Sequence, residues 1–279
     1  MAKISRKDIR RVAIAVPALC AALYFVPFVA LFFVATGLID VMRNERRDRM
    51  LFERYFTGNG VTNWLLSPVN LFFDLLCYRN RKIYRLDDLP PDYRAEIEDA
   101  IDTFRARKDD IIADIDRAFE SGRRGMYVYR WYGEQHNRSV KAFNKPFRHL
   151  QTIAVSVFTG KESTSFHFGP LRLSLRVLYN LTPVDSDDVY IECGNTRHIW
   201  RDDPLFIFDD TLMHRSVNQY EARRYCVFMD ILRPSPVPAV LSALRVAVAG
   251  MSRGFKGIFY RNWKMLGAEA ADGTATTKS

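Results

Sequence analysis

The chain has 279 residues, of which 48% are hydrophobic and 13% aromatic, and its formal net charge is +9. This length and composition exclude a disordered or low-complexity polymer. Four cysteines without paired spacing argue against a disulfide framework and against a zinc ribbon. The positive charge favours a polyanionic partner, which is either nucleic acid or an anionic membrane surface.

An apolar run without a formal charge occupies residues 12–39, and basic residues flank it on both sides. As a helix, its 28 residues would reach roughly 42 Å, more than the hydrocarbon core of a bilayer at about 30 Å. A cleaved signal peptide has a shorter apolar region. We therefore predict that residues 1–41 form a basic, membrane-embedded segment. Pro27 leaves open whether this is one kinked transmembrane span or a re-entrant hairpin.

Two further segments combine apolar and basic residues. Residues 64–78 are apolar apart from Asn70 and Asp74, and they precede a basic cluster of Arg79, Arg81, Lys82 and Arg85. This pattern predicts an interfacial segment against anionic headgroups. Residues 235–266 hold five basic and no acidic residues, which predicts a basic amphipathic helix on the membrane or, alternatively, one packed on the domain.

The positive charge thus lies on apolar segments, and the sequence has no nucleic-acid-binding motif. We therefore predict an anionic membrane surface as the partner and exclude nucleic acid. The last residues, 267–279, are small and polar, and we predict that they are disordered.

The middle of the chain changes its hydrophobic period. Apolar residues at three- and four-residue steps between Pro90 and Phe119 predict a helical stretch. From Gly125 the period is two, and polar turns separate strand-like runs at 126–132, 151–158, 171–181, 189–193, 205–208 and 225–232. Many short strands are typical of a β-sandwich or a jelly-roll barrel, with the helical stretch against one sheet.

This division predicts four regions. They are the membrane-embedded segment at 1–41, a membrane-proximal helical region at 42–122, a jelly-roll domain at 123–234, and a basic, membrane-associated tail at 235–279. In the run 171–181 every odd position is apolar, whereas the even positions include Arg172 and Arg176. Either a solvent-exposed face or a polar, anion-binding barrel interior explains these arginines.

Two histidines and an arginine carry the candidate chemistry. His167 precedes the arginine-bearing run, His214 follows another predicted strand, and Arg224 opens the last one. Two neutral imidazoles brought together by a barrel suit Fe(II), and a nearby guanidinium suits a dicarboxylate held through two oxygens. The alternative is that both histidines are ordinary hydrogen-bonded residues.

These residues resemble the aspartyl/asparaginyl β-hydroxylase family of Fe(II)- and 2-oxoglutarate-dependent oxygenases, and within it the membrane-anchored bacterial lipid A hydroxylases. The resemblance rests on several segments at fixed spacings: His167-Phe168-Gly169-Pro170, Arg176, Phe208-Asp209-Asp210-Thr211 leading to His214, Arg224, and Asp230-Ile231-Leu232-Arg233-Pro234. Trp131-Tyr132-Gly133 and the apolar N-terminus are similar to the lipid A branch.

The resemblance implies a double-stranded β-helix (jelly-roll) domain with His167 and His214 as the iron ligands. It also implies that Arg224, with Ser156, binds the far carboxylate of 2-oxoglutarate, while Arg176 contacts the carboxylate that chelates the metal. Asp210 would orient a metal-bound water or His214.

Two positions depart from the family pattern. A carboxylate usually stands two residues after the first histidine, where this chain has Gly169, although the peptide-modifying branch is similar in having glycine there. Leu178 stands where the family commonly has histidine. These departures leave open a site built on two histidines only.

We therefore predict an enzyme that uses Fe(II), 2-oxoglutarate and O₂ to hydroxylate the acyl chain of a membrane lipid, with lipid A as the first candidate. The expected location is the cytoplasmic face of a bacterial inner membrane. Three alternatives remain: hydroxylation of another lipid such as a ceramide or an ornithine-type lipid, β-hydroxylation of protein Asp or Asn residues, and a non-catalytic membrane scaffold.

Overall fold

The structure is a computed structural model that describes residues 13, 16–17, 20–21, 24–119, 122–252 and 264–266. Six helices are described at length: α1 (Pro27–Val41), α2 (Arg49–Thr57), α3 (Val61–Leu76), α4 (Pro91–Ala106), α5 (Lys108–Ala118) and α6 (Pro238–Ser252). Short 3-10 helices lie at Leu86–Asp88 and Lys141–Asn144. The predicted helix between Pro90 and Phe119 is thus two helices, which meet at Arg107.

Eleven strands are described in two sheets. They are β1 (Ile83–Tyr84), β2 (Arg124–Trp131), β3 (Glu134–Gln135), β4 (Leu150–Phe158), β5 (Ser174–Asn180), β6 (Val189–Cys193), β7 (Thr196–Ile199), β8 (Leu205–Phe208), β9 (His214–Asn218), β10 (Arg224–Leu232) and β11 (Lys264–Leu266). The larger sheet has the order β1-β8-β5-β10-β4-β2-β11, with β3 beside β2. The smaller sheet has the order β7-β6-β9.

The strand order is that of a jelly roll. The short segment around His167 pairs antiparallel with His214, the first residue of β9, and so lies beside β9 as a fourth position of the smaller sheet. The smaller sheet faces the four central strands of the larger sheet, β8, β5, β10 and β4, in which each neighbouring pair is antiparallel. Side chains from both sheets, including Ile191, Phe208 and Cys226, pack together between them. The prediction of a mainly β, jelly-roll fold is confirmed by this pairing.

The outer face of the larger sheet is covered by helices. Ile97 and Phe104 of α4 and Ile115 of α5 join one buried cluster with Leu175 and Val177 of β5. The apolar odd positions of the run 171–181 therefore lie beneath helices, and its polar even positions from Ser174 onward face the barrel interior. Of the two explanations for the arginine at 176, the polar interior is the one that the structure shows.

Helices α1 and α3 pack against each other beside the barrel. The indole nitrogen Nε1 of Trp64 donates to the Phe33 carbonyl at 2.8 Å, and Ser67 Oγ donates to Thr36 Oγ1 at 3.0 Å. Both helices leave large apolar side chains exposed on their far sides: Phe28, Leu31, Phe32, Leu38 and Ile39 on α1, and Leu65, Val69, Phe72 and Leu75 on α3.

The predicted transmembrane span at 12–39 is not found in the described part of the chain. None of the helices described is both long and apolar enough to cross a bilayer. The chain bends at Val26, and α1 begins with Pro27 at its first turn, where a missing N–H costs nothing. Several residues before position 24 lie outside the described residues.

The C-terminal segment differs from the prediction of one helix over 235–266. Helix α6 ends at Ser252 in the described chain, and Leu241 at its start packs against Phe73 and Leu232. Residues Lys264–Leu266 form β11, which pairs in parallel with β2, so the helix prediction is wrong at that end. The predicted disorder of 267–279 concerns residues outside the described part.

Candidate active site

The inner face of the larger sheet gathers three of the predicted site residues. Cys226 lies opposite both Ser156 and Asn180 in the strand register, and Asp230 lies opposite Arg176. Since side chains alternate along a strand, the even positions of β10 share one face with these partners. Ser156, Arg176 and Arg224 therefore project from three neighbouring strands into one barrel.

The two predicted metal ligands lie side by side. His214 begins β9, and the backbone N–H of each histidine donates to the carbonyl oxygen of the other, at 2.9 and 3.0 Å. Their ring centroids are 4.2 Å apart, with the planes inclined at 51°. The edge of the His214 ring also meets Phe208 on the inner face of the larger sheet. The barrel thus brings two imidazoles that are distant in sequence to one point.

Hydrogen bonds fix the tautomer of both rings. Nδ1 of His167 lies 2.8 Å from the Ser165 carbonyl oxygen, and Nδ1 of His214 lies 2.8 Å from that of Leu212. Because a carbonyl oxygen only accepts, both Nδ1 atoms must carry the proton, and each Nε2 keeps a lone pair. Burial lowers the pKa of both histidines. Both rings are therefore neutral at pH 7, the form that binds a metal.

Asp210 fills the space beside Gly169. A Cβ atom added to Gly169 would overlap the carboxyl group of Asp210, and the Gly169 N–H donates to the Asp210 carbonyl at 2.7 Å. Burial raises the pKa of Asp210 to about 7, against the lowering effect of Arg176. A glycine is thus required here by the close approach of Asp210, which supplies a carboxyl group next to the histidine segment from a different part of the fold.

Arg176 is engaged by two buried acids. Its Nη2 lies 2.7 Å from Asp210 Oδ2, and its Nε lies 2.6 Å from Asp230 Oδ1. The guanidinium carbon lies 3.8 Å from the ring centroid of Phe228. Leu178, the other departure from the family pattern, stands opposite Phe228 in the register. Asp230 is the first residue of the motif at 230–234, and no pattern in the sequence predicted that it would pair with Arg176.

Arg224 is a buried cation with no acidic partner among the described residues. It is 1% exposed, and Nε and Nη1 have no hydrogen-bond partner in the described chain. Its Nη2 donates to Ser216 Oγ on β9 at 3.2 Å. Burial lowers the pKa of this guanidinium. A buried charge without a counter-ion is costly, which indicates a place for an anion.

The surroundings of Arg224 include one group that sequence reasoning missed. The guanidinium carbon lies 4.7 Å from the ring centroid of Phe158 and 5.6 Å from that of Trp200. The indole nitrogen of Trp200 is buried without a hydrogen-bond partner in the described residues. Ser156 is also buried, and its hydroxyl donates to the Cys226 carbonyl at 3.1 Å. No sequence pattern marks Trp200, because it is distant from Arg224 along the chain and comes near it only in the folded barrel.

Polar side chains of α2 and α3 hold the segment that carries His167. Arg54 Nη1 donates to the Phe166 carbonyl at 2.9 Å, and Asn63 Nδ2 donates to the Gly169 carbonyl at 2.5 Å. Asn70 donates to the Pro170 carbonyl at 3.1 Å and accepts from the Arg172 N–H at 2.9 Å. Helix α3, which exposes apolar side chains, thus also fixes the backbone around the first histidine.

A buried charge network joins the same helices to the barrel. Arg172 contacts Asp40 of α1, and its Nη1 lies 2.7 Å from Asp74 Oδ2 of α3. Arg43 Nη2 lies 2.9 Å from Asp209 Oδ2. Burial would raise the pKa of Asp209, but Arg43 and Arg172 outweigh it and hold the pKa below its usual range. Arg172 therefore serves this network and not the barrel interior.

The residues fit a divalent iron ion held by imidazoles. The two neutral rings, of which His214 is buried and His167 half-buried, offer Nε2 lone pairs, and imidazole suits iron. In the described chain no three His, Cys, Asp or Glu side chains are arranged to hold a metal ion. The guanidinium of Arg224, whose Nε and Nη1 have no partner in the described chain, fits a carboxylate.

The strand order and the inward-facing histidine pair define a jelly-roll protein of the double-stranded β-helix class. Residues 96–234 match the family described as Aspartyl/Asparaginyl beta-hydroxylase. This match confirms the resemblance to that family of hydroxylases which the sequence motifs indicated.

Individual relatives are more distant. The chain is 25% identical over 162 residues to the ornithine lipid ester-linked acyl 2-hydroxylase of Rhizobium tropici, with 53% of this chain and 56% of that protein covered. It therefore spans about half the length of this curated relative. A prolyl hydroxylase from Trichoplax adhaerens, solved with a hypoxia inducible factor peptide, is 22% identical at a TM-score of 0.24 and covers 30% of this chain and 44% of its own. A cupin domain from Bordetella pertussis is 13% identical at a TM-score of 0.21, with 30% and 81% covered.

Proposed function

We propose that the protein is an Fe(II)- and 2-oxoglutarate-dependent dioxygenase that hydroxylates the acyl chain of a membrane lipid. The observation that carries this proposal is the buried guanidinium of Arg224, which has no acidic partner among the described residues and lies in the same barrel interior as the histidine pair. Arg224 reaches Ser216, which lies two residues from His214 on the same face of β9. Two residues of a strand span about 7 Å, a distance that a short dicarboxylate bridges.

The residues have separate roles in this mechanism. When bound, iron and 2-oxoglutarate supply the activation of O₂ that inserts one oxygen atom into an unactivated C–H bond. His167 and His214 would hold the metal through Nε2, since their Nδ1 protons are already donated to carbonyl oxygens. Arg224 would bind the far carboxylate through its free Nε and Nη1. Phe158 and Trp200 would exclude water from this ion pair.

Three other residues would orient the bound groups. Arg176 would contact the metal-side carboxylate while Asp210 and Asp230 fix the plane of its guanidinium. Ser156 would turn its hydroxyl from the Cys226 carbonyl to the far carboxylate. Asp210 would accept a hydrogen bond from a metal-bound water beside Gly169.

A lipid substrate is supported by the helices next to the site. Exposed apolar patches mark protein or membrane contacts, and α1 and α3 expose such side chains while α3 also holds the His167 segment. The Rhizobium relative acts on a lipid acyl chain by name. We propose association with the cytoplasmic face of a bacterial inner membrane. Lipid A is the first substrate to test and ornithine-type lipid the second.

β-Hydroxylation of protein Asp or Asn residues is the second candidate function. The family description and the glycine at position 169 favour it. The exposed apolar sides of α1 and α3 favour a lipid instead.

The test is turnover by the purified full-length protein with Fe(II), 2-oxoglutarate, O₂ and separated lipid classes in mixed micelles. Succinate release together with a lipid that gains one oxygen atom supports the proposal. His214→Ala serves as the matched control and should give neither product. A lipid-independent reaction that hydroxylates an Asp- or Asn-containing peptide would replace the lipid proposal with the second candidate.

A further inference from the structure

Two adjoining clefts lie outside the barrel, at the turn between α3 and β1. The larger encloses about 1090 Å³ and the smaller about 360 Å³. Arg79, Asn80 and Lys82 line both, so we treat the two as one basic cleft. The sequence pattern predicted that this basic cluster contacts the membrane, and none of its residues has a role in the proposed chemistry.

The basic cleft has more positive charge than its own acids neutralise. Its lining includes the cations Arg43, Arg79, Arg81, Lys82 and Arg233 and the carboxylates Glu45, Asp74 and Asp88. Each carboxylate is already paired with an arginine or lysine of the protein. Within the described chain, Arg79 has no ion pair, and Arg43 Nη1 is buried without a hydrogen-bond partner.

The backbone at the centre of the basic cleft is strained. Lys82 has a φ of 72°, a left-handed conformation that costs a non-glycine residue free energy. It is held there by two hydrogen bonds, because the Lys82 N–H donates to Asn80 Oδ1 at 2.8 Å and the Lys82 carbonyl accepts from the Asp209 N–H at 2.8 Å. The fold thus keeps a lysine at this point against its backbone preference.

The position of the basic cleft links the apolar helices to the active site. Leu75, near the end of α3, is 83% exposed, and Met42 at the end of α1 lines the cleft. On the other side, Asn80 Nδ2 donates to Asp209 Oδ2 at 2.7 Å. Asp209 is bonded directly to Asp210, which lies beside the histidine segment. One side of the cleft therefore meets the exposed apolar surface, and the other side is one residue from the active site.

We propose that the basic cleft binds the phosphate group of a lipid headgroup, so that the acyl carbons nearest the headgroup reach the metal site. Guanidinium and ammonium groups are the usual partners of phosphate. The proposal rests on the proposed function, since it places the headgroup of that same lipid substrate. It favours a phosphorylated lipid over one whose headgroup bears only carboxylate and ammonium.

The test is flotation of the full-length protein with three kinds of vesicle: phosphatidylcholine alone, with phosphatidic acid, or with a fatty acid that gives the same surface charge through carboxylates. Wild type should prefer the phosphatidic acid vesicles. The double variant Arg79→Gln/Lys82→Gln should lose roughly 25-fold in affinity for them, since each cation near an anionic surface contributes about fivefold. Arg85→Gln removes a nearby exposed charge outside the cleft, and it should keep the preference.

Equal binding to the two anionic vesicles, or an equal loss in Arg85→Gln, would overturn the site in favour of general surface charge. Inorganic phosphate that raises the melting temperature of wild type but not of the double variant, without a vesicle preference, would overturn the headgroup and assign soluble phosphate. A phosphate preference in a protein that hydroxylates no lipid removes only the proposed function. Lipid hydroxylation without the preference removes only the basic cleft.

Discussion

At the scale of single residues, two buried arginines with similar exposure have opposite surroundings. Arg224 has no acidic partner in the described chain, whereas Arg233 Nη1 lies 2.7 Å from Asp74 Oδ1 and its Nη2 donates to the Tyr78 carbonyl at 3.1 Å. Replacing a buried charge by an apolar side chain of similar volume is stabilising when the charge is uncompensated. This contrast supports the proposal that Arg224 binds a cosubstrate, whereas Arg233 has a structural role.

Arg224→Met should therefore raise the free energy of unfolding of the ligand-free protein by about 1–2 kcal/mol. The same substitution should abolish the rise in melting temperature that 2-oxoglutarate gives in the presence of a divalent metal. Thermal unfolding with and without 2-oxoglutarate measures both effects. Arg233→Met is the control and should destabilise. An Arg224→Met variant that keeps its 2-oxoglutarate response would remove Arg224 from the site.

Gly169→Asp should not create a three-residue metal site, because the new Cβ would overlap the Asp210 carboxyl group. We expect weaker metal binding and a lower melting temperature. The exchange variant Gly169→Asp/Asp210→Gly removes the overlap and should recover part of the metal affinity. Titration of metal binding by calorimetry compares the two variants. Stronger binding by the single variant than by wild type would contradict the close packing of Gly169 against Asp210.

At the scale of elements, regular strands were predictable and the pairs that build the site were less so. The strands at 189–193 and 205–208 match the prediction. In the first, buried and partly exposed residues alternate, and the second is a short, continuous apolar run. β7 and β9 were missed, since Thr196–Ile199 and His214–Asn218 are short and polar. The family resemblance implied that the two histidines and Arg224 belong to the site, and the structure places them on one barrel interior. The pairing of Arg172 with Asp40 and Asp74 needs contacts between distant elements, which no local pattern encodes.

The charge network gives a prediction at this scale. Asp209→Asn removes the buried carboxylate that Arg43 and Arg172 share, and it should cost about 3 kcal/mol of unfolding free energy at pH 7. The lowered pKa of Asp209 means that its contribution is complete above the usual carboxyl pKa near 4 and is lost as the pH falls below it. Urea unfolding between pH 7 and pH 3 should therefore show a shallower acid loss in the variant.

Asp187→Asn is the matched control for this substitution. Asp187 pairs with Arg201 at the surface, and its side chain is 61% exposed, so its replacement should have little effect. If Asp209→Asn and Asp187→Asn destabilise equally, the network does not hold α1 and α3 to the barrel.

At the scale of the whole molecule, helices α1 and α3, the basic cleft and the barrel are connected by direct contacts. α1 and α3 expose apolar side chains, α3 binds the His167 segment through Asn63 and Asn70, and Arg43, just after α1, contacts Asp209. Composition and charge alone predicted a membrane partner but not this arrangement. The described helices do not include one that crosses a bilayer, so the account depends on the exposed surface of the helices and not on a span.

The most direct test is mass spectrometry of total membrane lipids and purified lipid A from a deletion strain. The strain is complemented with either the wild-type gene or His214→Ala. The account predicts a lipid that gains one oxygen atom on an acyl chain only with the wild-type gene. Identical lipid profiles from the two complemented strains, with both proteins present at equal levels in the membrane, would contradict it.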